Sequence, residues 1–138
     1  DTIHIDGWRE VNFVDGFKIS IRPRQDSSDT TLKKLFFINL GGYQKNKFEE
    51  QHYAILTVKP DKATAMNEAK ETFFFKHNHF TGANSHIDDK YGIDVDDLYE
   101  IEDLLTAQSK QLYEIVINES TDPKEDKINL GYFKLSNL

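Results

Sequence analysis

Cysteine is absent from all 138 residues. That single absence excludes a disulfide scaffold, a thiolate zinc site and a cysteine nucleophile, and it suits a reducing compartment, so a cytoplasmic location is expected. No apolar run approaches the ~20 residues that a membrane-spanning helix needs, and no membrane partner is expected. Phosphate-cradling loops are missing as well, because neither Gly-x-Gly-x-x-Gly nor a Walker lysine pattern occurs. There is no Gly-x-Ser-x-Gly elbow, which removes the signature of a serine hydrolase. No cofactor is expected.

A basic stripe is also lacking. Seventeen Lys and Arg stand against twenty-four Asp and Glu, for a net charge of −7. Between His86 and Asp103 lie eight acids, Asp88, Asp89, Asp94, Asp96, Asp97, Glu100, Glu102 and Asp103, with Lys90 as the one base. That stretch alone holds the whole excess, and it repels a nucleic-acid backbone. Nucleic acid is therefore not an expected partner, whereas cationic ligands, divalent metals and basic protein surfaces suit the charge. What the chain does have is aromatic bulk. Ten Phe and six Tyr in a chain of this length give folding something large to bury, enough for the core of one ordinary domain.

Alternation in Phe17-Lys18-Ile19-Ser20-Ile21-Arg22 predicts a strand with one wet face, ended by Pro23. Residues 24–31 are polar and turn-prone and read as a linker. Leu35-Phe36-Phe37-Ile38-Asn39-Leu40 is apolar on both faces and predicts a central strand, stopped by Gly41-Gly42 as a tight turn or bulge. Tyr53-Ala54-Ile55-Leu56-Thr57-Val58 predicts a second buried strand. Pro60-Asp61 opens a helix with Asp61 as N-cap, on which Ala65, Met66, Ala69 and Phe73 recur at helical spacing; it is expected to fray near His77. Residues 78–91 read as irregular. Residues 98–101 suit a helix or a strand, residues 112–117 a strand, Asp122-Pro123-Lys124-Glu125-Asp126 a charged turn, and residues 130–135 a last strand. One core is expected, with Phe36, Ile38, Ala54, Leu56 and Val58 beneath Met66, Ala69 and Phe73.

Two segments match at an offset of 82 residues. His4-Ile5-Asp6 returns as His86-Ile87-Asp88, Asp15 as Asp97 and Ile19 as Ile101, five identities in the sixteen positions from His4 to Ile19. The match favours a strand at Tyr99–Ile101. The chain opens Asp1-Thr2-Ile3-His4, with no initiator methionine and no signal or transit peptide, so upstream residues are expected to be missing. On this reading residues 1–23 are the tail of a truncated first repeat, 24–31 a linker, and 32–138 a complete repeat. The strings Leu35-Phe36-Phe37-Ile38-Asn39-Leu40-Gly41-Gly42-Tyr43, Phe48-Glu49-Glu50-Gln51-His52 and Ser85 to Asp97, with His4 to Val11 and Val14 to Phe17 upstream, resemble the bacterial family called domain of unknown function 1543. The resemblance covers nearly the whole chain. It implies one or two copies of a repeat per protein and supplies no activity. The fold expected is α+β, a mixed β-sheet with a β-β-α-β-β type repeat, preceded by the C-terminal piece of a truncated first repeat.

The densest chemistry is His86-Ile87-Asp88-Asp89 with Asp94-Val95-Asp96-Asp97. An imidazole among carboxylates is what a divalent ion needs to offset its lost hydration. The spacing is not that of an EF-hand. A solvated acidic loop, with His86 and Asp88 in turn or capping hydrogen bonds, explains the same residues. His86, Asp88, Asp89, Gly41, Gly42 and His52 are the ligand-binding candidates, and Asp94, Asp96 and Asp97 the metal candidates. His77 and His79 could join His52, although a histidine at a helix C-terminus is explained by the dipole alone. Phe73-Phe74-Phe75 reads as core plus an interface between repeats or subunits, with an aromatic ligand pocket as the sharper alternative. Asn118-Glu119-Ser120 matches a glycosylation sequon, a pattern common by chance.

The expected function is a non-enzymatic cytoplasmic module, paired repeats forming a scaffold that binds a small molecule or a protein. Phe17, Ile19 and Ile21 form a strand face too large for the N-terminal segment to bury alone, so a homodimer or repeat–repeat association is expected. The alternative is a small enzyme or divalent-metal protein using His86, Asp88 and Asp89.

Overall fold

A computed structural model of the chain describes residues 3–25, 32–42, 46, 48–72 and 93–135. Elements follow in the order β1 (His4–Trp8), β2 (Phe13–Val14), β3 (Phe17–Pro23), β4 (Lys34–Gly42), β5 (Gln51–Lys59), α1 (Lys62–Glu71), β6 (Ile93–Glu100), α2 (Ile101–Leu104), α3 (Ala107–Leu112), β7 (Tyr113–Glu119) and β8 (Asn129–Lys134). The class is α+β, with the strands divided among three small sheets, β1-β8, β2-β3-β7 and β5-β4-β6. Two compact units result. Unit 1 comprises Asp1–Arg22 and Ile115–Leu138, and unit 2 comprises Pro23–Glu114.

Unit 2 is organised by β4. Its nine residues pair antiparallel with β5 on one side and with β6 on the other. Being central, it carries apolar side chains on both faces, as the sequence pattern predicts. Cross-strand partners lie on the same face of a sheet, so register assigns the faces. Phe36 is opposite Thr57 and Glu100, Ile38 is opposite Ile55 and Leu98, and Leu40 is opposite Tyr53 and Val95. On this face α1 packs. Phe36, Ile38, Leu40, Ala65 and Ala69 are wholly buried together, with Ile55, Val95 and Leu98 packed against them. Alanine at both helical contact positions leaves no bulk between helix and sheet, so the axis can sit close.

A polar lock accompanies that contact. Thr57 is the one buried polar residue among those described, and its hydroxyl donates to Glu68 Oε2 at 2.8 Å. Lys59 meets the same carboxylate oxygen from the next position on this face. The helix begins as expected, with Asp61 accepting from Thr64 N at 2.7 Å. It ends earlier than the periodicity predicts. Thr72 is already extended, and its hydroxyl takes the Ala69 carbonyl at 2.7 Å, a local bond that competes with another helical turn. Phe73 and His77, expected on this helix, lie outside the described residues.

The expected phase of β5 is corrected by the register. Ala54, Leu56 and Val58 do not join Phe36 and Ile38; they pair with Asn39, Phe37 and Leu35 on the opposite face. Thr57 and Ile55 take the core positions. Nor is β5 buried along its length, because it is an edge strand on which Tyr53 and Ala54 are exposed. Gly41 and Gly42 are the last two residues of β4 and not a turn beyond it. Both are buried inside the strand, opposite His52 and Gln51 on one side and Asp94 and Ile93 on the other, so ladders on both flanks override the local turn preference. The irregularity lies one step earlier, where Asp96 is the extra residue between Val95, opposite Leu40, and Asp97, opposite Asn39.

At Glu100 the strand gives way to α2, so Tyr99 is strand and Ile101 is helix. α3 follows, capped by Thr106, whose hydroxyl accepts from Ser109 N at 3.1 Å. Arg24, read from the sequence as the first residue of a linker, is instead held at four points. Its Nε donates to Lys110 O at 2.6 Å, its Nη2 to Glu102 Oε1 at 3.0 Å and to Tyr113 O at 3.3 Å, and its backbone N to Leu112 O at 2.9 Å. A planar guanidinium with fixed donors can satisfy carbonyls at a helix end and a carboxylate at once.

Unit 1 is built on a two-residue hairpin. Asp15 and Gly16, at φ of 51° and 80°, join β2 to β3, the positive pair that a type I′ turn requires. Val14, Ile19 and Ile117 are its buried hydrophobic residues, Phe17 is half-buried, and Ile21 is exposed. Asp126, from the expected charged turn, accepts from Asn12 N at 2.9 Å and Phe13 N at 3.0 Å. Desolvation pushes its carboxyl up, but those two donors with Arg9 outweigh it and hold the group below its usual range. The offset of 82 residues does not carry local conformation with it: Asp15 is a turn residue and Asp97 a strand residue, and Ile19 is strand where Ile101 is helix.

Phe36→Ala removes a wholly buried side chain and should destabilise by ~3–5 kcal/mol, whereas Leu56→Ala, half-buried on the other face, should cost about 2 kcal/mol or less. Urea unfolding of the two variants measures the difference, and equal losses would contradict the assignment of faces.

Candidate functional site

Opposite α1, the sheet of unit 2 has a second face. Its rows, read across β5, β4 and β6, are Leu56-Phe37-Tyr99, Ala54-Asn39-Asp97 and His52-Gly41-Asp94, with the pair Val58-Leu35 at one end. Leu35 and Val58 are buried, Phe37, Leu56, Asn39 and Asp97 half-buried, and Ala54, His52 and Tyr99 exposed. The face therefore grades from apolar to polar along the strands. Three of the sequence candidates, Gly41, His52 and Asp94, share one row of it, and Asp97 belongs to the neighbouring row. Gly42 lies one row further, opposite Gln51 and Ile93.

Sharing a row is not the same as converging. His52 and Asp94 stand on the two outer strands, with Gly41 between them, so their backbones are about 10 Å apart at the usual strand spacing. His52 Nε2 lies 3.9 Å from Glu50 Oε2. Asp96 is the bulge residue of β6. His86, Asp88 and Asp89, with His77, His79 and Phe73-Phe74-Phe75, lie outside the described residues. Among the described residues, no group of three or more histidines and carboxylates is gathered as a metal site would be.

The chemistry this face does assemble is Asp97 with Tyr99. Two positions apart on a strand, they project to one side, and the Tyr99 hydroxyl donates to Asp97 Oδ1 at 2.8 Å. The carboxylate is thereby fixed in direction and keeps further lone pairs for a second donor. The hydrogen bond and then the negative charge of Asp97 push the Tyr99 phenol above its ordinary value. Three other acids in this region are answered from within the unit: Glu100 by Lys34 at 2.9 Å, Glu102 by Arg24 at 3.0 Å and Asp103 by Lys110 at 3.9 Å.

Sequence reasoning missed a second feature, in unit 1. β1 and β8 form a two-stranded ribbon with much of its aromatic surface outward. His4 stacks on Tyr132 with ring centroids 4.1 Å apart, and Trp8 meets Phe133 edge-on at 6.4 Å. Trp8, Leu130 and Tyr132 are all exposed. The His-Ile-Asp string, open in the sequence between a corner and a ligand set, is a strand at residues 4–6, with His4 Nε2 at 3.0 Å from Asp6 Oδ1. The polar–apolar alternation of His4-Ile5-Asp6 was the available signal, and three residues are a short one.

No helix among the described residues is long and apolar enough to cross a membrane. No family model matches the chain, and neither a curated protein nor a solved structure matches it.

Replacing Asp97 by Asn removes the charge that opposes ionisation of Tyr99. The Tyr99 phenol should then titrate lower, toward the ordinary ~10. Following its ring carbon shifts by NMR at alkaline pH checks this, and an unchanged titration would mean that the 2.8 Å bond does not persist in solution.

Proposed function

We propose that the protein is a non-enzymatic binding module whose partner is a cationic, partly apolar protein segment received on the open face of the β5-β4-β6 sheet. The observation that carries this reading is the Asp97–Tyr99 pair standing beside Phe37 and Leu56 on that face. A guanidinium or ammonium group arriving there meets a pre-oriented carboxylate and an aromatic ring together. The aliphatic stem of the same side chain, or an apolar neighbour, covers Phe37 and Leu56. Charge supports the same partner, since the register places Asp94 and Asp97 of β6 in neighbouring rows of that face. Lysine and arginine supply both halves of this contact, which favours a peptide over a bare metal ion.

The wider setting is a cytoplasmic scaffold built from paired repeats. The absence of cysteine and the resemblance to the bacterial family of unknown function 1543 support it.

A peptide of alternating leucine and arginine, with one of alternating leucine and glutamate as control, tests the reading by NMR titration. The cationic peptide should shift the amides of Phe37, Asn39, Leu56, Asp97 and Tyr99 and leave α1 untouched. Asp97→Asn should weaken it roughly tenfold, the loss of one charge-assisted contact of ~1.5 kcal/mol. Equal binding of the acidic control, or shifts confined to α1, would refute it.

A further inference from the structure

A two-stranded ribbon is not stable on its own and offers two outer edges, one on each strand. Among the described residues no further strand pairs with either edge of β1-β8. The two edges are not alike. β8 carries an extra residue against β1, since three steps from Phe133 to Leu130 oppose two from Ile5 to Gly7, and Gly131 sits there at a φ of 154°. Lys127 and Lys134 bracket it. A bulge and flanking lysines are devices that discourage strand addition. β1 has neither. Its five residues run without a bulge of their own, and exposed Ile3 and Trp8 stand at its two ends.

The residues of β1 also specify what fits the edge. Two antiparallel copies of one strand, related by a two-fold axis normal to the sheet, must pair a residue with itself at the centre. Centring on Ile5 sets Ile5 against the partner's Ile5, His4 against the partner's Asp6, and Asp6 against the partner's His4. The string base–apolar–acid is thus complementary to its own reverse. Centring on Asp6 would oppose two carboxylates. The Asp6 side chain is 87% exposed and, among the described residues, reaches His4, so it is accessible to a second copy.

We infer that β1 is a homodimer interface, in which two copies of the chain join edge to edge about Ile5 and convert two ribbons into one four-stranded sheet closed by reciprocal His4–Asp6 pairs. Unit 1 alone carries this, and it stands or falls independently of what the open face of unit 2 binds. Trp8, the single tryptophan, lies at the end of the pairing strand and reports on it without a label.

Sedimentation velocity of the full chain is the experiment, with Trp8 emission recorded over the same dilution series. The wild type should sediment as a dimer that dissociates on dilution, with the Trp8 emission moving to longer wavelength in step. His4→Asp sets carboxylates against each other at both symmetric contacts and should weaken the dimer by roughly tenfold or more. The exchange variant His4→Asp with Asp6→His keeps every pair complementary and should restore it. Circular dichroism confirms that each variant is folded. A wild type that is monomeric throughout, a dimer indifferent to His4→Asp, or a folded exchange variant that stays monomeric overturns the inference.

Discussion

Side chains along β4 leave alternately to the two faces of its sheet, and α1 covers one of them. Phe36, Ile38 and Leu40 go to the helix and are wholly buried, while Leu35, Phe37 and Asn39 go to the other side. Both sets are largely apolar because the strand is central, so the face away from α1 is apolar as well. Under the function proposed above, that second face is the one that receives the partner. What keeps the two faces distinct is the docking of α1, where Ala65 and Ala69 allow close approach and Glu68 satisfies Thr57 and Lys59. A carboxylate bound at two points beside a tight apolar contact sets the helix register along the sheet as well as its distance.

Much of this was legible in the sequence, and what was not has physical causes. β3, β4 and α1 were readable because each carries a local signal: alternation, an uninterrupted apolar run, and an Asp cap ahead of helical spacing. The phase of β5 was not. Tyr53, Ile55 and Thr57 are as plausible a buried set as Ala54, Leu56 and Val58, and only the pairing with β4, reinforced by Glu68 on Thr57, chooses between them. Gly41-Gly42 looks like a stop because glycine favours turns, yet a ladder on each flank holds both residues in the strand. Residues 98–101 suited strand or helix, and the offset match favoured a strand through Ile101; they are both in turn, with the change at Glu100. Of the candidate site, Asp97 was readable as a member of an acidic run, and not as a strand residue. Its bond to Tyr99 depends on the strand assignment that the sequence left open.

Charge in unit 2 is handled in two ways. Lys34, Arg24 and Lys110 answer Glu100, Glu102 and Asp103 around α2, and there the acids serve cohesion. On the face away from α1, Asp97 is bound by the Tyr99 hydroxyl instead. Arg24 is the better example of how function and stability separate, since a residue in an apparently loose polar stretch ties α3, Glu102 and Tyr113 together. In unit 1 the corresponding device is Asp126 on the amides of Asn12 and Phe13, which anchors the entry to the hairpin. Both are long-range bonds to backbone groups, and no local sequence pattern announces them.

Neighbouring phenylalanines offer the most direct test of a sheet with one closed and one open face. Hydroxyl-radical footprinting, read residue by residue by mass spectrometry, reports side-chain access to solvent for the folded chain. Phe36 should be protected while Phe37, Leu56 and Tyr99 are oxidised, with Tyr99 fastest. Oxidation of Phe36 together with protection of Phe37 and Tyr99 would contradict the account, because α1 would then lie on the face assigned to the partner.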